Sequence, residues 1–440
     1  MICQVLPATW PSAGGDRPRN GVALVARKLI AGGILGAAVA VSAVMAASPP
    51  ALARPAVAAA ASPAAGPLAW TAVSLPNPPG AVSNSFQPVA LSCSSATDCV
   101  GGGGYVASGI NRPAALLTLT GTSWTAAQAP LPADAVTEGG SATVGSVSCP
   151  SATVCFAGGN YRQTPGDQEG MLLSLAGGAW SAVTAPLPAN ATPNPDVTLG
   201  GMSCPSTTQC TAVGQYGDTA GDQFGLILRL SHGTWTPAAA PVPAGSAAVG
   251  SLDAVSCPST ARCFAGGSQQ AEGTSAQEPV LLTWSKHTWR VVHIALPANA
   301  AADPLATIAA VSCATAKRCI AAGFYVDSAG NEQGVLLSWS GSKWTSQEAP
   351  LPADAATQPE VELNAASCPT GSSCIVGGTY ATASNSAVGL ILSLMGSTWT
   401  ATAAPASAFH LHGLSCLTAT SCVALSWGIG RPVGLTGTGS

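Results

Sequence analysis

The stretch that decides the fold is residues 144–191, VGSVSCPSATVCFAGGNYRQTPGDQEGMLLSLAGGAWSAVTAPLPANA. Its first part contains two short apolar runs, residues 144–149 and 154–158, on either side of a turn that contains Pro150 and Ser151. Apolar runs of this length around a turn predict a β-hairpin.

Two further strands are predicted after the hairpin. Residues 170–175 form a third apolar run and residues 179–183 a fourth, and a glycine pair at residues 177–178 supplies the turn between them. Four antiparallel strands in a unit of roughly 55 residues are typical of a propeller blade. The Ala-Pro-Leu-Pro-Ala segment that follows predicts an extended connection to the next unit, because proline cannot join a sheet ladder.

The unit recurs along the chain, and two residue types keep its period. Five residues separate the two members of every cysteine pair, and tryptophans follow at intervals of 54 to 56 residues. The seven pairs are Cys93 and Cys99, Cys149 and Cys155, Cys204 and Cys210, Cys257 and Cys263, Cys313 and Cys319, Cys368 and Cys374, and Cys416 and Cys422. The seven tryptophans are Trp70, Trp124, Trp180, Trp235, Trp289, Trp344 and Trp399. Repetition at such a period predicts a propeller or similar array.

The ends of the repeat predict how the ring closes. The seventh copy, from Leu411 onward, stops before its tryptophan position, and the spare tryptophan strand lies at residues 68–73. We predict that this N-terminal strand completes the last blade and leaves no open sheet edge. The expected fold is therefore all-β, a seven-bladed β-propeller of four-stranded antiparallel blades over residues 68–440, with the ring closed by the N-terminal strand.

The repeated cysteines and tryptophans have structural roles in this interpretation. A cysteine pair could bind a metal, but no unit repeats a histidine or a third cysteine beside it. We therefore expect a disulfide in each unit. Each would clamp the hairpin between the first two strands, worth about 2 to 2.5 kcal/mol in the chain-entropy estimate. The tryptophans are expected to pack between neighbouring blades rather than to form a ligand platform.

Residues 1–53 predict a signal peptide. Basic residues precede an uncharged stretch at residues 29–47, and Ala-Leu-Ala at residues 51–53 has the form of a cleavage site. An uncleaved membrane anchor is the alternative, and the leader is long enough for translation to start downstream of Met1. Residues 54–67, rich in alanine and proline, predict a flexible linker. We therefore expect a secreted, extracellular protein.

The composition excludes several classes of protein. Only 8% of the residues are charged, which argues against a helical array, and 47% are hydrophobic, which argues against disorder. With 15 Lys and Arg against 19 Asp and Glu there is no basic patch, so nucleic acid is not an expected partner. We expect a monomer whose only membrane contact would be through an uncleaved leader.

Parts of the repeat resemble known propeller families. The glycine pairs Gly158-Gly159, Gly266-Gly267 and Gly377-Gly378 resemble the glycine pair of kelch repeats, and the turn before Trp344 is similar in position to the Asp box of sialidases. The SCPS-to-Cys hairpin resembles repeats in uncharacterised secreted actinobacterial proteins, over nearly all of residues 89–440.

These resemblances imply chemistry that the sequence does not supply at matching positions. Sialidases imply an arginine triad, a tyrosine nucleophile and acidic partners, but the eight arginines after the leader have no recurrent position. Galactose-oxidase-like propellers imply copper and a Tyr–Cys crosslink, but every propeller cysteine already has a partner in its own unit. No G-x-S-x-G elbow or H-E-x-x-H pair is present. No catalytic or metal-binding residue is therefore predicted.

Polar residues cluster in the loop that joins the second strand of each unit to the third. Carboxylates and amides there could bind sugar hydroxyls or calcium, and solvated turn residues are the alternative. The candidate ligand-binding residues are Tyr161, Asp167, Glu169, Tyr216, Asp218, Asp222, Glu278, Tyr325, Asp327 and Glu332. His410 and His412 would point the same way on a strand and could hold a metal, and chance proximity is the alternative.

The sequence favours an extracellular, non-enzymatic binding or scaffold protein that recognises a glycan or a cell-surface partner through loops on one propeller face. No cofactor is expected, with calcium as the one candidate ion. The alternative function is a sialidase-like glycoside hydrolase, or another glycan-active enzyme, on the propeller.

Overall fold

The computed structural model describes residues 68–109, 111–136, 139–163, 166–271, 276–428 and 431–439. All described residues belong to one compact unit. The predicted leader and linker lie outside the described residues. Within the described part of the chain, no helix is long and apolar enough to cross a membrane.

The described residues form seven four-stranded antiparallel sheets, so the predicted propeller is confirmed. Blade 1 contains β2 (Gln87–Ser95), β3 (Asp98–Gly104), β4 (Ala114–Thr120) and β5 (Ser123–Gln128). Blade 2 contains β6 (Ala142–Ser151), β7 (Val154–Arg162), β8 (Gln168–Ala176) and β9 (Ala179–Thr184). Blade 3 contains β10 (Thr198–Ser206), β11 (Gln209–Gly217), β12 (Gln223–Ser231) and β13 (Thr234–Ala239). Blade 4 contains β14 (Ser246–Ser259), β15 (Arg262–Ala271), β16 (Gln277–Ser285) and β17 (Thr288–Val292).

The remaining blades follow the same order. Blade 5 contains β18 (Thr307–Thr315), β19 (Arg318–Val326), β20 (Glu332–Trp339) and β21 (Trp344–Glu348). Blade 6 contains β22 (Glu362–Thr370), β23 (Ser373–Ala381), β24 (Ala387–Met395) and β25 (Thr398–Ala403). Blade 7 contains β26 (His410–Thr418), β27 (Ser421–Gly428), β28 (Arg431–Thr438) and, from the N-terminal end, β1 (Ala69–Ser74).

The N-terminal strand closes the ring, as the sequence predicts. Strand β1 pairs antiparallel with β28, with Trp70 opposite Gly437. A Cβ atom at Gly437 would lie 3.0 Å from the Trp70 ring, so glycine leaves the room in which the indole packs. The last blade therefore gains its fourth strand from the start of the propeller.

The hydrophobic core lies between neighbouring blades, and the repeated tryptophans border it. Trp399 of blade 6 packs on a cluster that also contains Ile320 of blade 5, and Trp124 of blade 1 packs on a cluster with Val423 of blade 7. All seven cysteine pairs form disulfides, as predicted, across the turn between the first two strands of each blade. Seven disulfides are typical of extracellular proteins.

A ring of hydrogen bonds connects the blades near the disulfides. In every blade a serine immediately precedes the first cysteine. Its hydroxyl accepts the cysteine N–H of the next blade at 2.8 to 3.1 Å, and the last of these bonds joins blade 7 to blade 1. The accepting serines are Ser92, Ser148, Ser203, Ser256, Ser312, Ser367 and Ser415. The same hydrogen bond thus links every pair of neighbouring blades.

Candidate functional site

The innermost strands line a central channel whose polar side chains sit on β-bulges. Each inner strand carries one extra residue at the same register, where the pairing with the second strand shifts. The seven residues at these shifts are Val89, Gly145, Gly200, Asp253, Ala309, Asn364 and His412, and all line the channel. Bulges re-aim side chains and are frequent beside functional sites. The channel has a volume of about 170 Å³ and is lined mostly by glycine, alanine and valine.

Two of the channel residues have shifted pKa values. Burial raises the pKa of Asp253, although its carboxylate accepts a hydrogen bond from Thr307 Oγ1 at 3.0 Å. Burial, with a smaller effect of the neighbouring His410, lowers the pKa of His412 to about 4, so this imidazole is neutral at pH 7. The two histidine rings stack with their centroids 5.8 Å apart. Among the described residues no group of three or more metal-ligating side chains is assembled.

No described arginine lines the channel, which bears on the sialidase-like alternative. The Arg229 guanidinium lies 3.7 Å from the ring centre of Trp284, and Arg262 lies over Phe264. Arg162 lines a crevice between blades 1 and 2. These three arginines therefore lie in three different blades.

The five tyrosines of the chain share one position in the repeat, six residues after the second cysteine. They are Tyr105, Tyr161, Tyr216, Tyr325 and Tyr380, and each is buried to 97% or more. Strand β7 shows why: it continues past Gly159 to Arg162, four residues beyond its predicted end, and carries Tyr161 beneath the connector that enters its blade. Burial raises the pKa of Tyr161 and Tyr380 to about 12.

Each tyrosine hydroxyl binds the connector between blades. Every connector contains a tight turn closed by a backbone hydrogen bond from the third residue after a proline. The second residue after that proline is Gly80, Asp134, Asn190, Gly245, Asn299, Asp354 or Ser407, in blade order. Four tyrosines donate to the side-chain oxygen of this residue at 2.9 Å, and Tyr105 donates to the Pro79 carbonyl. We call each such contact a tyrosine clasp.

Three of the candidate ligand-binding residues are therefore core residues that lie next to the loops: Tyr161, Tyr216 and Tyr325. Their rings have no exposed surface, and their hydroxyls belong to clasps. The structure brings Tyr161 close to Glu169, and Tyr325 close to Asp327, within single blades. Ligand binding through this set stays a prediction.

Two of the candidate carboxylates organise the turn between second and third strands. Asp218 Oδ1 accepts the N–H groups of Ala220 and Asp222, and Asp327 Oδ1 accepts those of Ala329 and Asn331. Such bonds from an aspartate to the backbone two residues on stabilise turns. These hydrogen bonds, with those from the side chains of Asn331 and Gln333, lower the pKa of Asp327.

Two candidate glutamates hold their protons to near neutral pH. Burial raises the pKa of Glu169 to about 7, and Asp134 adds to the shift. Burial likewise raises the pKa of Glu332 to about 7, and the charge of Glu362 in the next blade adds to the shift. The remaining candidates, Asp167, Asp222 and Glu278, are partly or fully exposed.

Two large crevices open beside the connectors, on the face that carries these loops. The first, of about 490 Å³, lies between blades 1 and 2 and is lined by Tyr105 and Arg162. The second, of about 620 Å³, lies at blade 4 and is lined by Gln269, Glu278 and His293. Of the candidate residues, Tyr161 borders the first crevice and Glu278 the second. We call this side of the ring the connector face.

Sequence reasoning missed Asp253, Asn364 and Gln269. The first two become channel residues only through bulges, which the sequence pattern does not reveal. Gln269 could have been found, because it stands six residues after the second cysteine of its blade, where five other blades have tyrosine.

No protein-family model matches the chain, and no curated protein matches it. Several solved structures are similar to the chain at low sequence identity. A Trypanosoma rangeli sialidase is 11% identical with a TM-score of 0.44, over 71% of this chain and 55% of that one, so this chain spans about half of its length. A Dyadobacter fermentans protein of unknown function is 12% identical with a TM-score of 0.45, over 86% and 99%. The β-propeller domain of the trilobed protease from Pyrococcus furiosus is 6% identical with a TM-score of 0.46, over 81% and 96%.

Proposed function

We propose that this protein is a secreted, non-enzymatic binding or scaffold module that presents its connector face to a glycan or another cell-surface partner. The observation that carries the proposal is the lining of the central channel. Small aliphatic residues dominate it, and its three polar bulge residues come from blades 4, 6 and 7. A volume of about 170 Å³ is also below the roughly 300–1,000 Å³ of ordinary ligand pockets.

The connector face supports the binding role. It carries the exposed carboxylates of Asp222 and Glu278, and the turn at Asp222 is held by hydrogen bonds to Asp218. Rigid presentation of polar groups reduces the entropy lost on binding. The disulfide of each blade, typical of proteins outside the cell, lies at the opposite end of the blade and would stabilise the blades that carry this surface.

The test is to screen the purified, secreted protein on a glycan array, with and without calcium, and to assay hydrolysis of sialosides. We expect binding of a restricted glycan set and no turnover. Asp222→Asn should weaken that binding, whereas Asp98→Asn, in the disulfide hairpin of blade 1, should not. A flat array would overturn glycan recognition, and sialoside turnover would overturn the non-enzymatic role.

A further inference from the structure

Blade 4 lacks both halves of the tyrosine clasp. Gln269 stands where five blades have tyrosine, and Gly245 stands where four connectors have aspartate or asparagine. The crevice of about 620 Å³ lies beside these two residues, and both line it. The two replacements together remove about as many non-hydrogen atoms as one phenol molecule contains.

Gln269 lines this crevice and carries a buried, unsatisfied polar atom. The residue is 93% buried, and its Oε1 finds no hydrogen-bond partner among the residues that the structure describes. A buried acceptor without a donor costs free energy, so such groups in native proteins call for an explanation. A bound ligand that donates a hydrogen bond would supply one.

The crevice walls fit a ring. Val280, Val291 and Ile294 supply aliphatic surface, and prolines of both flanking connectors complete it. Glu278 and His293 are exposed at the rim, so a bound ring can carry a substituent toward solvent. A cavity of about 150 Å³ suffices for a benzene ring, so the volume leaves ample space.

We propose that the blade 4 crevice binds a hydroxyaromatic ring, either a free phenol or the side chain of a tyrosine in a peptide. The ring would occupy the space that remains because Gln269 is shorter than a tyrosine and Gly245 has no side chain. Its hydroxyl donates to Gln269 Oε1, as the tyrosines of blades 2, 3, 5 and 6 donate to a connector oxygen. This inference rests on the proposed binding role and adds one pocket and one ligand class to it.

The experiment titrates the intact secreted protein with p-cresol, with N-acetyl-tyrosinamide and with 4-methylanisole, observed by ligand NMR. Because 4-methylanisole has no hydroxyl proton to donate, p-cresol should bind about three- to tenfold more tightly. Equal or tighter binding of N-acetyl-tyrosinamide indicates a peptide source, and much weaker binding indicates a free phenol.

Two variants separate this pocket from any other site. Gln269→Tyr refills the crevice from the chain itself and should abolish p-cresol binding while the fold is kept. Gln269→Leu keeps the space but removes the acceptor, so the preference for p-cresol over 4-methylanisole should disappear. The matched control is Gln333→Leu in blade 5, whose amide binds Asp327 and which should leave p-cresol binding unchanged.

Absence of p-cresol and N-acetyl-tyrosinamide binding at millimolar concentration would overturn the proposal, as would equal binding by Gln269→Tyr. Monosaccharide binding that Gln269→Tyr blocks, without phenol binding, would overturn the ligand class. A glycan array that fails while p-cresol binds would reject only glycan recognition, so the two proposals fail separately.

Discussion

Ser415 of blade 7 accepts the backbone N–H of Cys93 of blade 1 at 3.1 Å, across 322 positions of sequence. The same bond joins every other pair of neighbouring blades, for example from Cys149 to Ser92 at 2.9 Å. The junction between the first and last blades is therefore built like the six junctions between consecutive blades. The residues around each disulfide connect blades as well as strands.

Ser415→Ala removes one bond of this ring. The Cys93 N–H then lacks its partner in a partly buried position, and we expect the free energy of unfolding to fall by about 1 kcal/mol. Urea denaturation measures the change. Ser174→Ala, which removes an exposed hydroxyl that pairs with Ser181, serves as the control and should cost less. Equal losses would contradict a specific role for the inter-blade bond.

Gly159→Ala tests the second glycine of the pair Gly158-Gly159. A Cβ atom there would overlap the backbone carbonyl of Thr143, beside the bulge of the inner strand. We expect destabilisation of about 3 kcal/mol or more, measured by denaturation. At Gly217 a Cβ would meet nothing nearer than 3.3 Å, so Gly217→Ala should cost about 1 kcal/mol or less. A much smaller destabilisation by Gly159→Ala would contradict this prediction and would show that the inner strand can shift.

Glu169→Gln tests a buried carboxyl on the connector face. The folded protein holds the Glu169 proton to about pH 7, against an ordinary pKa of 4.5. Its contribution to stability is therefore present below pH 4.5 and is lost as the pH rises through 7. At pH 8 the free energy of unfolding of the variant should exceed that of the wild type by about 1–2 kcal/mol, and at pH 4 the two free energies should match. Exposed Glu278→Gln is the control, and a pH-independent difference would contradict the prediction.

His412→Asn tests the channel histidine in the opposite direction. With its pKa lowered to about 4, His412 contributes stability that is present above pH 6.5 and is lost as the pH falls through 4. Asparagine already occupies the equivalent bulge in blade 6, at Asn364, so the substitution should fold. Between pH 7 and pH 4.5 the free energy of unfolding, measured by thermal melts, should fall by about 1–2 kcal/mol more in the wild type than in the variant. Exposed His287→Asn should not change this slope.

The architecture could be predicted because its determinants repeat at a fixed interval. The cysteine and tryptophan periods predict seven blades, and the displaced Trp70 predicts the closing strand. The ends of the strands are predicted less accurately. Strand β7 runs to Arg162, because Tyr161 binds a connector that the hairpin pattern does not include.

The candidate site was harder to predict, because side-chain roles depend on contacts between distant segments. Tyr161 and Tyr325 resemble loop residues in sequence, yet their hydroxyls bind Asp134 and Asn299 from the preceding connectors. Asp253 lines the channel because it lies at a bulge. A shift of one residue moves a side chain to the other face of a strand, and the sequence does not show where such a shift occurs.

The closed ring is the central claim, and removal of strand β1 tests it most directly. A protein that begins at Leu75 lacks the partner of β28 and the Trp70 ring that packs on Gly437. Compared with a protein that begins at Leu68, its melting temperature in a calorimetric scan should fall by about 10 °C or more. An unchanged melting temperature would contradict closure by the N-terminal strand.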